Sequence, residues 1–77
     1  MVEATEARVA VVVQAALPEA ELRPESDLWK SGLDSIGSVA LLVALEDEFD
    51  VEFPNALLTR QTFTSIISIS DAVRSIS

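Results

Sequence analysis

The chain has 77 residues, 13 of them acidic and 5 basic for a net charge of -8, and it contains neither cysteine nor histidine. That length suits one small domain spanning 1–77, which buries roughly 60% of the surface its unfolded chain exposes and is stable by about 5 kcal/mol. The missing residue types exclude disulfides, thiolate metal sites and Ser-His or Cys-His catalysis, and the negative charge disfavours nucleic acid and anionic membranes while suiting basic protein surfaces.

The first helix is predicted from about Glu3 to Leu17, with early acids that complement the positive end of its dipole. Val9, Val12, Val13 and Ala16 fall on one face at helical spacing. The valine run 11–13 is also compatible with a strand, but the alanines and the Glu-rich opening turn favour helix. Pro18 ends it. The apolar stretch Val9 to Leu17 is too short to cross a bilayer, and Glu3 and Glu6 are the wrong charge for an export signal, so a cytoplasmic protein is expected.

Residues 18–34 read as a long loop, with Pro18, Pro24, the Ser26-Asp27 pair and Gly32. A loop of this length either serves function or packs on its own side chains. Leu22, Leu28, Trp29 and Leu33 are the expected tacks, and Trp29 is a candidate for either core or partner contact.

A second helix is predicted from Ser35 to near Asp50, with Ser35 as N-cap or first-turn residue behind Asp34. Leu42, Leu45 and Phe49 share one face, with Leu41 beside them. Ile36, Val39 and Val43 make a second apolar stripe, and a helix with two stripes is either deeply buried or offers one to a partner. Val51 to Phe53 should be extended before Pro54, and Asn55 to Arg60 can form one helical turn. Leu57, Leu58 and Phe63 read as core, and Arg60 as either a loop hydrogen-bonding residue or a partner contact.

The last helix is predicted to start near Thr64 as N-cap, with Ile66, Ile69, Val73 and Ile76 along one face. The alternating, β-branched run from Thr64 to Ser70 competes as a strand. A lone strand there lacks a pairing partner, and Asp71-Ala72-Val73-Arg74 suits a helix. The expected fold is therefore all-α: a small bundle of three main helices plus one short helix, with a long loop between helices one and two.

The informative stretch is Gly32-Leu33-Asp34-Ser35-Ile36. Taken alone, its serine is an ordinary helix cap. Its context is a long loop before and an amphipathic helix after, ending Glu46-Asp47-Glu48-Phe49-Asp50 and followed by Val51-Glu52-Phe53-Pro54. In this arrangement the chain resembles the acyl and peptidyl carrier proteins, whose attachment motif is Gly-Leu-Asp-Ser-Leu. The resemblance covers nearly the whole sequence.

The resemblance implies that Ser35 carries a 4'-phosphopantetheine arm, donated by coenzyme A through a phosphopantetheinyl transferase. It implies that Asp34 helps engage that transferase and its Mg²⁺. It places Ile36, Val39 and Val43 where partner enzymes dock, and Glu46 and Asp47 in an acidic patch facing basic partners. A serine at a helix start also fits physically, because free N–H groups and the dipole favour a phosphodiester there.

Gly37 and Ala40 stand where fatty-acid-type carriers are acidic, and Gly37 costs the helix about 1 kcal/mol relative to alanine. Together with the segment from Phe53 to Phe63, which looks like that of discrete aminoacyl or unusual-acyl carriers, this points to polyketide or nonribosomal peptide biosynthesis. The expectation is a discrete, monomeric carrier and not an enzyme. Its arm would be loaded by an acyl or aminoacyl ligase (an adenylating enzyme) or an acyltransferase, and would serve synthase modules. The rival readings are a non-catalytic acidic interaction module in which Ser35 is only a cap, and a fatty-acid-type acyl carrier. An enzyme is not indicated: the acids Glu46 and Asp50 share a helix face with no base, metal site or enclosed pocket, and the acids lack a calcium-loop pattern.

Overall fold

A computed structural model describes residues 4–77, so the acid expected at Glu3 lies outside the described residues. Three α-helices follow in order: α1 (Ala4–Ala16), α2 (Ser35–Phe49) and α3 (Ile66–Ile76), with one 3-10 turn at Asn55–Leu57. There is no strand among the described residues. The short helix expected over 55–60 is this 3-10 turn.

Helix α1 packs against both α2 and α3. Val9 and Val13 are fully buried and Val12 is partly buried, as their shared face requires. Ala16, expected on that face, is exposed. The helix is leaving the core there, and the Leu17 amide makes the last helical bond, to the Val13 carbonyl, before Pro18.

The long loop is fastened at several points. Leu28 and Leu33 enter the core, while Leu22 and Trp29 pack against its edge. The Asp27 carboxylate accepts the Trp29 and Lys30 amides at 3.0 and 3.3 Å, an Asx-type turn that Asp forms readily. The Leu28 amide donates to the Thr64 carbonyl at 2.7 Å, and the Ile67 amide to the Pro24 carbonyl at 3.1 Å. The second bond satisfies an N–H of the opening turn of α3 that the helix itself cannot. Gly32 has φ +120°, a conformation side chains rarely adopt, and this lets the chain turn from the loop into Leu33 and the start of α2.

Leu41 and Leu45 are the buried face of α2, with Leu42 and Phe49 partly buried beside them. Burial of each such leucine contributes about 1.5–3 kcal/mol. The helix ends at Asp50, in the left-handed conformation with φ 53° and ψ 51°. The amides of Asp50 and Val51 both donate to the Glu46 carbonyl. The Glu46 carboxylate in turn accepts the Phe53 amide at 2.8 Å. Phe53 is thereby set into the core, its ring stacked on Phe63 with centroids 5.9 Å apart.

Helix α3 begins one residue later than expected. Its N-cap is Ser65, whose hydroxyl accepts the Ser68 amide while the Ser68 hydroxyl accepts the Ser65 amide, a reciprocal capping box. Thr64, the expected cap, instead donates its hydroxyl to the Arg60 carbonyl at 3.1 Å. Ile66, Ile69, Ala72 and Val73 are buried, and the buried Ser70 hydroxyl is satisfied by the Ile66 carbonyl at 2.7 Å. Packing of this stripe against α1 overrides the strand propensity of the sequence. No helix among the described residues is long and apolar enough to cross a membrane.

Candidate functional site

Ser35 is the first residue of α2, and it does not cap the helix. The cap is Asp34, in extended conformation, whose Oδ1 accepts the Gly37 amide at 2.6 Å while its carbonyl accepts the Ser38 amide at 2.8 Å. This corrects the reading of Ser35 as only a helix cap: Asp34, three positions before the capped amide, does that work. The Ser35 side chain is exposed, and its Oγ makes no hydrogen bond among the described residues. Its carbonyl accepts the Ser38 hydroxyl at 2.8 Å.

The geometry at this end of the helix is suited to a phosphate. The amides of Ser35 and Ile36 have no intramolecular acceptor among the described residues. They are orphan donors at the positive end of a helix of 15 residues. An exposed hydroxyl beside free N–H groups fits a phosphate-linked prosthetic arm better than it fits a structural role.

Gly37 belongs to the same device. A Cβ at this position would stand 3.1 Å from the capping Oδ1 of Asp34 and 3.5 Å from a Leu33 methyl. Glycine therefore leaves room for the capping carboxylate to close on the helix.

Ile36, Val39 and Val43 lie on the open surface, at 84%, 61% and 58% exposure. None of the three is covered by the long loop. The second stripe of α2 is thus an unsatisfied apolar surface running away from Ser35. The two acids placed in the acidic patch separate: Asp47 is exposed, but Glu46 is half-buried and turned to the Phe53 amide. The free negative charge beside the stripe is therefore carried by Asp47, with Glu48 engaged by Arg8.

A groove of about 380 Å³ adjoins Ser35, lined among others by Trp29, Val39, Leu42, Leu58 and Arg60. Leu58, expected in the core, is 44% exposed and forms part of this wall because the turn at Asn55–Leu57 carries it outward. Trp29 and Arg60, each read with two alternatives, are in contact with one another. The Trp29 indole donates to the Arg60 carbonyl at 3.0 Å, and the Arg60 guanidinium lies 4.5 Å above the indole ring. Trp29 is partly buried and also faces the groove. Sequence patterning does not reveal this pair, since the two residues lie 31 positions apart and share no periodicity. Among the described residues no cluster of His, Cys, Asp or Glu could hold a metal ion.

Residues 7–73 match the phosphopantetheine attachment site family. Over 61 residues the chain is 43% identical to the aminoacyl carrier protein of Agrobacterium fabrum, covering 79% of this chain and 74% of that protein. It is 38% identical over 63 residues to aminoacyl carrier protein 2 of Bradyrhizobium diazoefficiens, covering 77% and 71%. Its fold superposes with a TM-score of 0.82, at 35% identity, on a chain of the crystal structure of engineered Bradyrhizobium japonicum glycine:[carrier protein] ligase complexed with carrier protein from Agrobacterium tumefaciens and ATP, covering 94% of this chain and 99% of that one. A chain of the Bradyrhizobium japonicum ligase structure with its cognate carrier protein and an analogue of glycyl adenylate gives a TM-score of 0.87 at 24% identity, covering 95% and 99%, a likeness of fold. The match over residues 7–73, with two relatives named as aminoacyl carriers, defines the class as carrier proteins. The chain belongs to the phosphopantetheine-binding carrier proteins, and its prosthetic group is 4'-phosphopantetheine.

Proposed function

We propose that Ser35 is the residue to which the phosphopantetheine arm is joined, and that the chain is an aminoacyl carrier. The observation that carries the first part is the Ser35 hydroxyl, exposed and unbonded at the start of α2 beside two free amides. When attached, the group supplies a terminal thiol on which an acyl unit is held as a thioester. The chain's own residues hold the base of the arm. Asp34 fixes the first turn of α2, and the Ser35 and Ile36 amides face the phosphate. The exposed Asp34 side chain is also within reach of the transferase and its Mg²⁺.

The aminoacyl cargo rests on the two relatives named as aminoacyl carriers. The corresponding loading partner is an adenylating ligase of the glycine:[carrier protein] type, as in the structure matched at 35% identity. In this reading Ile36, Val39 and Val43 form the docking stripe, and Asp47 supplies the negative charge at its edge. Glu46 acts one step behind, by holding the exit from α2 in place. The uncharged start of the helix, with Gly37 and Ala40, supports natural-product assembly by polyketide or nonribosomal peptide enzymes over fatty-acid synthesis. The carrier then works in the cytoplasm, where coenzyme A and ATP are available.

Intact-mass spectrometry tests both parts. Incubation with coenzyme A and a broad-specificity phosphopantetheinyl transferase should add one phosphopantetheine to the wild type and nothing to Ser35→Ala. Incubation of the loaded chain with ATP, amino acids and a glycine:[carrier protein] ligase should then add one aminoacyl mass. Addition of the arm to Ser35→Ala, or to neither protein, removes the first assignment. A loaded chain that takes malonyl units from a fatty-acid acyltransferase and refuses every amino acid removes the second.

A further inference from the structure

Arg60 is the basic residue that lines the groove beside Ser35. Arg8 and Arg74 each pair with a carboxylate, Glu48 and Asp71 respectively. Arg60 pairs with no carboxylate among the described residues. Among the described residues Arg23 and Lys30 also have no carboxylate partner, but they do not line the groove that adjoins Ser35. The Arg60 backbone is pinned, because its carbonyl accepts both the Trp29 indole N–H at 3.0 Å and the Thr64 hydroxyl at 3.1 Å. Its guanidinium rests on the Trp29 ring and donates no hydrogen bond among the described residues. A stacked guanidinium keeps its N–H edges free in a fixed plane, so it is preorganised for acceptor oxygens.

The groove joins this cation to Ser35. Its lining combines apolar side chains, Val39, Leu42 and Leu58, with the Trp29–Arg60 pair. Few ligands match both features, and one of them is tethered at the groove's end. Phosphopantetheine carries a phosphodiester at its root, then a gem-dimethyl group and two amide carbonyls. We infer that the groove is a resting berth for the arm attached at Ser35, with Arg60 donating to the arm's acceptor oxygens and Trp29, Val39 and Leu42 covering its apolar part. This rests on the attachment assigned to Ser35 above. Arg60 here is a positioning residue, since it orients the arm and takes no part in making or breaking a bond.

The chain carries its own reporter for this berth. Trp29 is its only tryptophan, and there is no tyrosine. Apo and holo forms of the wild type and of Arg60→Gln are compared after mass spectrometry confirms the arm. In the wild type, the holo form should show reduced acrylamide quenching of Trp29 and shifted ¹⁵N resonances of the Trp29 indole and the Arg60 Nε. In Arg60→Gln the arm should still attach, but the quenching difference between apo and holo should be largely lost. Arg60→Lys, which keeps the charge and loses the planar fork, should fall between the two. A wild type that gains the mass of the arm with no change at Trp29 or Arg60 overturns the berth and leaves the carrier role standing. Full protection of Trp29 in holo Arg60→Gln overturns the part given to Arg60. A wild type that gains no mass instead overturns the attachment at Ser35.

Discussion

The Asp34 carboxylate and the Gly37 amide are matched to each other: they meet at 2.6 Å, and a Cβ on residue 37 would stand 3.1 Å from the same oxygen. The helix that presents Ser35 therefore opens with a cap that depends on the absence of a side chain three residues later. The two residues should be energetically coupled. Asp34→Ala removes the cap and should cost about 1 kcal/mol. Gly37→Ala should return the full propensity gain of about 1 kcal/mol only when Asp34 is already alanine. In the wild type the gain should be smaller, because the carboxylate must shift. Urea unfolding of the two single variants and the double variant measures this coupling, and strict additivity would refute it.

Asp50 ends α2 in a left-handed conformation that costs an ordinary residue about 1–2 kcal/mol. It also places a carboxylate at the negative end of the helix dipole, which is unfavourable. Asp50→Gly and Asp50→Asn should both stabilise the protein, glycine by relieving the backbone and asparagine mainly by removing the charge. A gain of about 1 kcal/mol corresponds to a rise of roughly 4–8 °C in Tm for a domain of this size. Calorimetry showing a lower Tm for both variants would contradict the argument.

Glu46 is more valuable to the fold than its place in an acidic run implies. Its carboxylate accepts the Phe53 amide, and Phe53 is 6% exposed and stacked on Phe63. Glu46→Ala should cost about 1–3 kcal/mol by stranding that amide. Glu46→Gln, which keeps an acceptor oxygen, should cost less. Asp47→Asn should leave stability unchanged within about 0.5 kcal/mol and act instead on the rate of association with a basic partner. Equal destabilisation by the 46 and 47 substitutions would count against this division of roles.

Arg8 ties α1 to the last turn of α2. Its side chain donates to the Glu48 carboxylate at 3.0 Å and to the Glu48 carbonyl at 2.7 Å, and it lies 4.4 Å above the Phe49 ring. The ion pair is solvent-exposed and by itself contributes at most about 1 kcal/mol. The carbonyl bond and the ring contact do not depend on the Glu48 charge. Arg8→Ala should therefore destabilise more than Glu48→Gln, and high salt should shrink both losses while leaving the difference between them largely intact. Thermal unfolding at low and high ionic strength checks both points.

Much of the fold was legible because burial follows periodicity. Val9 and Val13, Leu41 and Leu45, and Ile66, Ile69 and Val73 repeat at helical spacing, and all are buried. The start of α2 was legible from Asp34-Ser35, although chemistry alone did not decide which of the two was the cap. The start of α3 was misplaced by one residue because its box uses Ser68 where a glutamate or glutamine is the familiar signal. Leu58 was misplaced because hydrophobicity does not reveal which way a three-residue turn throws a side chain. The site shows the same division. The motif around Ser35 is local and could be read, whereas the Trp29–Arg60 pair is created by the long loop meeting the segment after α2, a tertiary event with no local signature.

The polar ties of α2 to the rest of the protein have a mechanical consequence. Among the described residues, the bonds from Arg8 to Glu48 and from Phe53 to Glu46 both fall toward its C-terminal end. The helix is thus a cantilever, clamped at the end remote from Ser35 and held at its tip only by its own cap and by apolar packing.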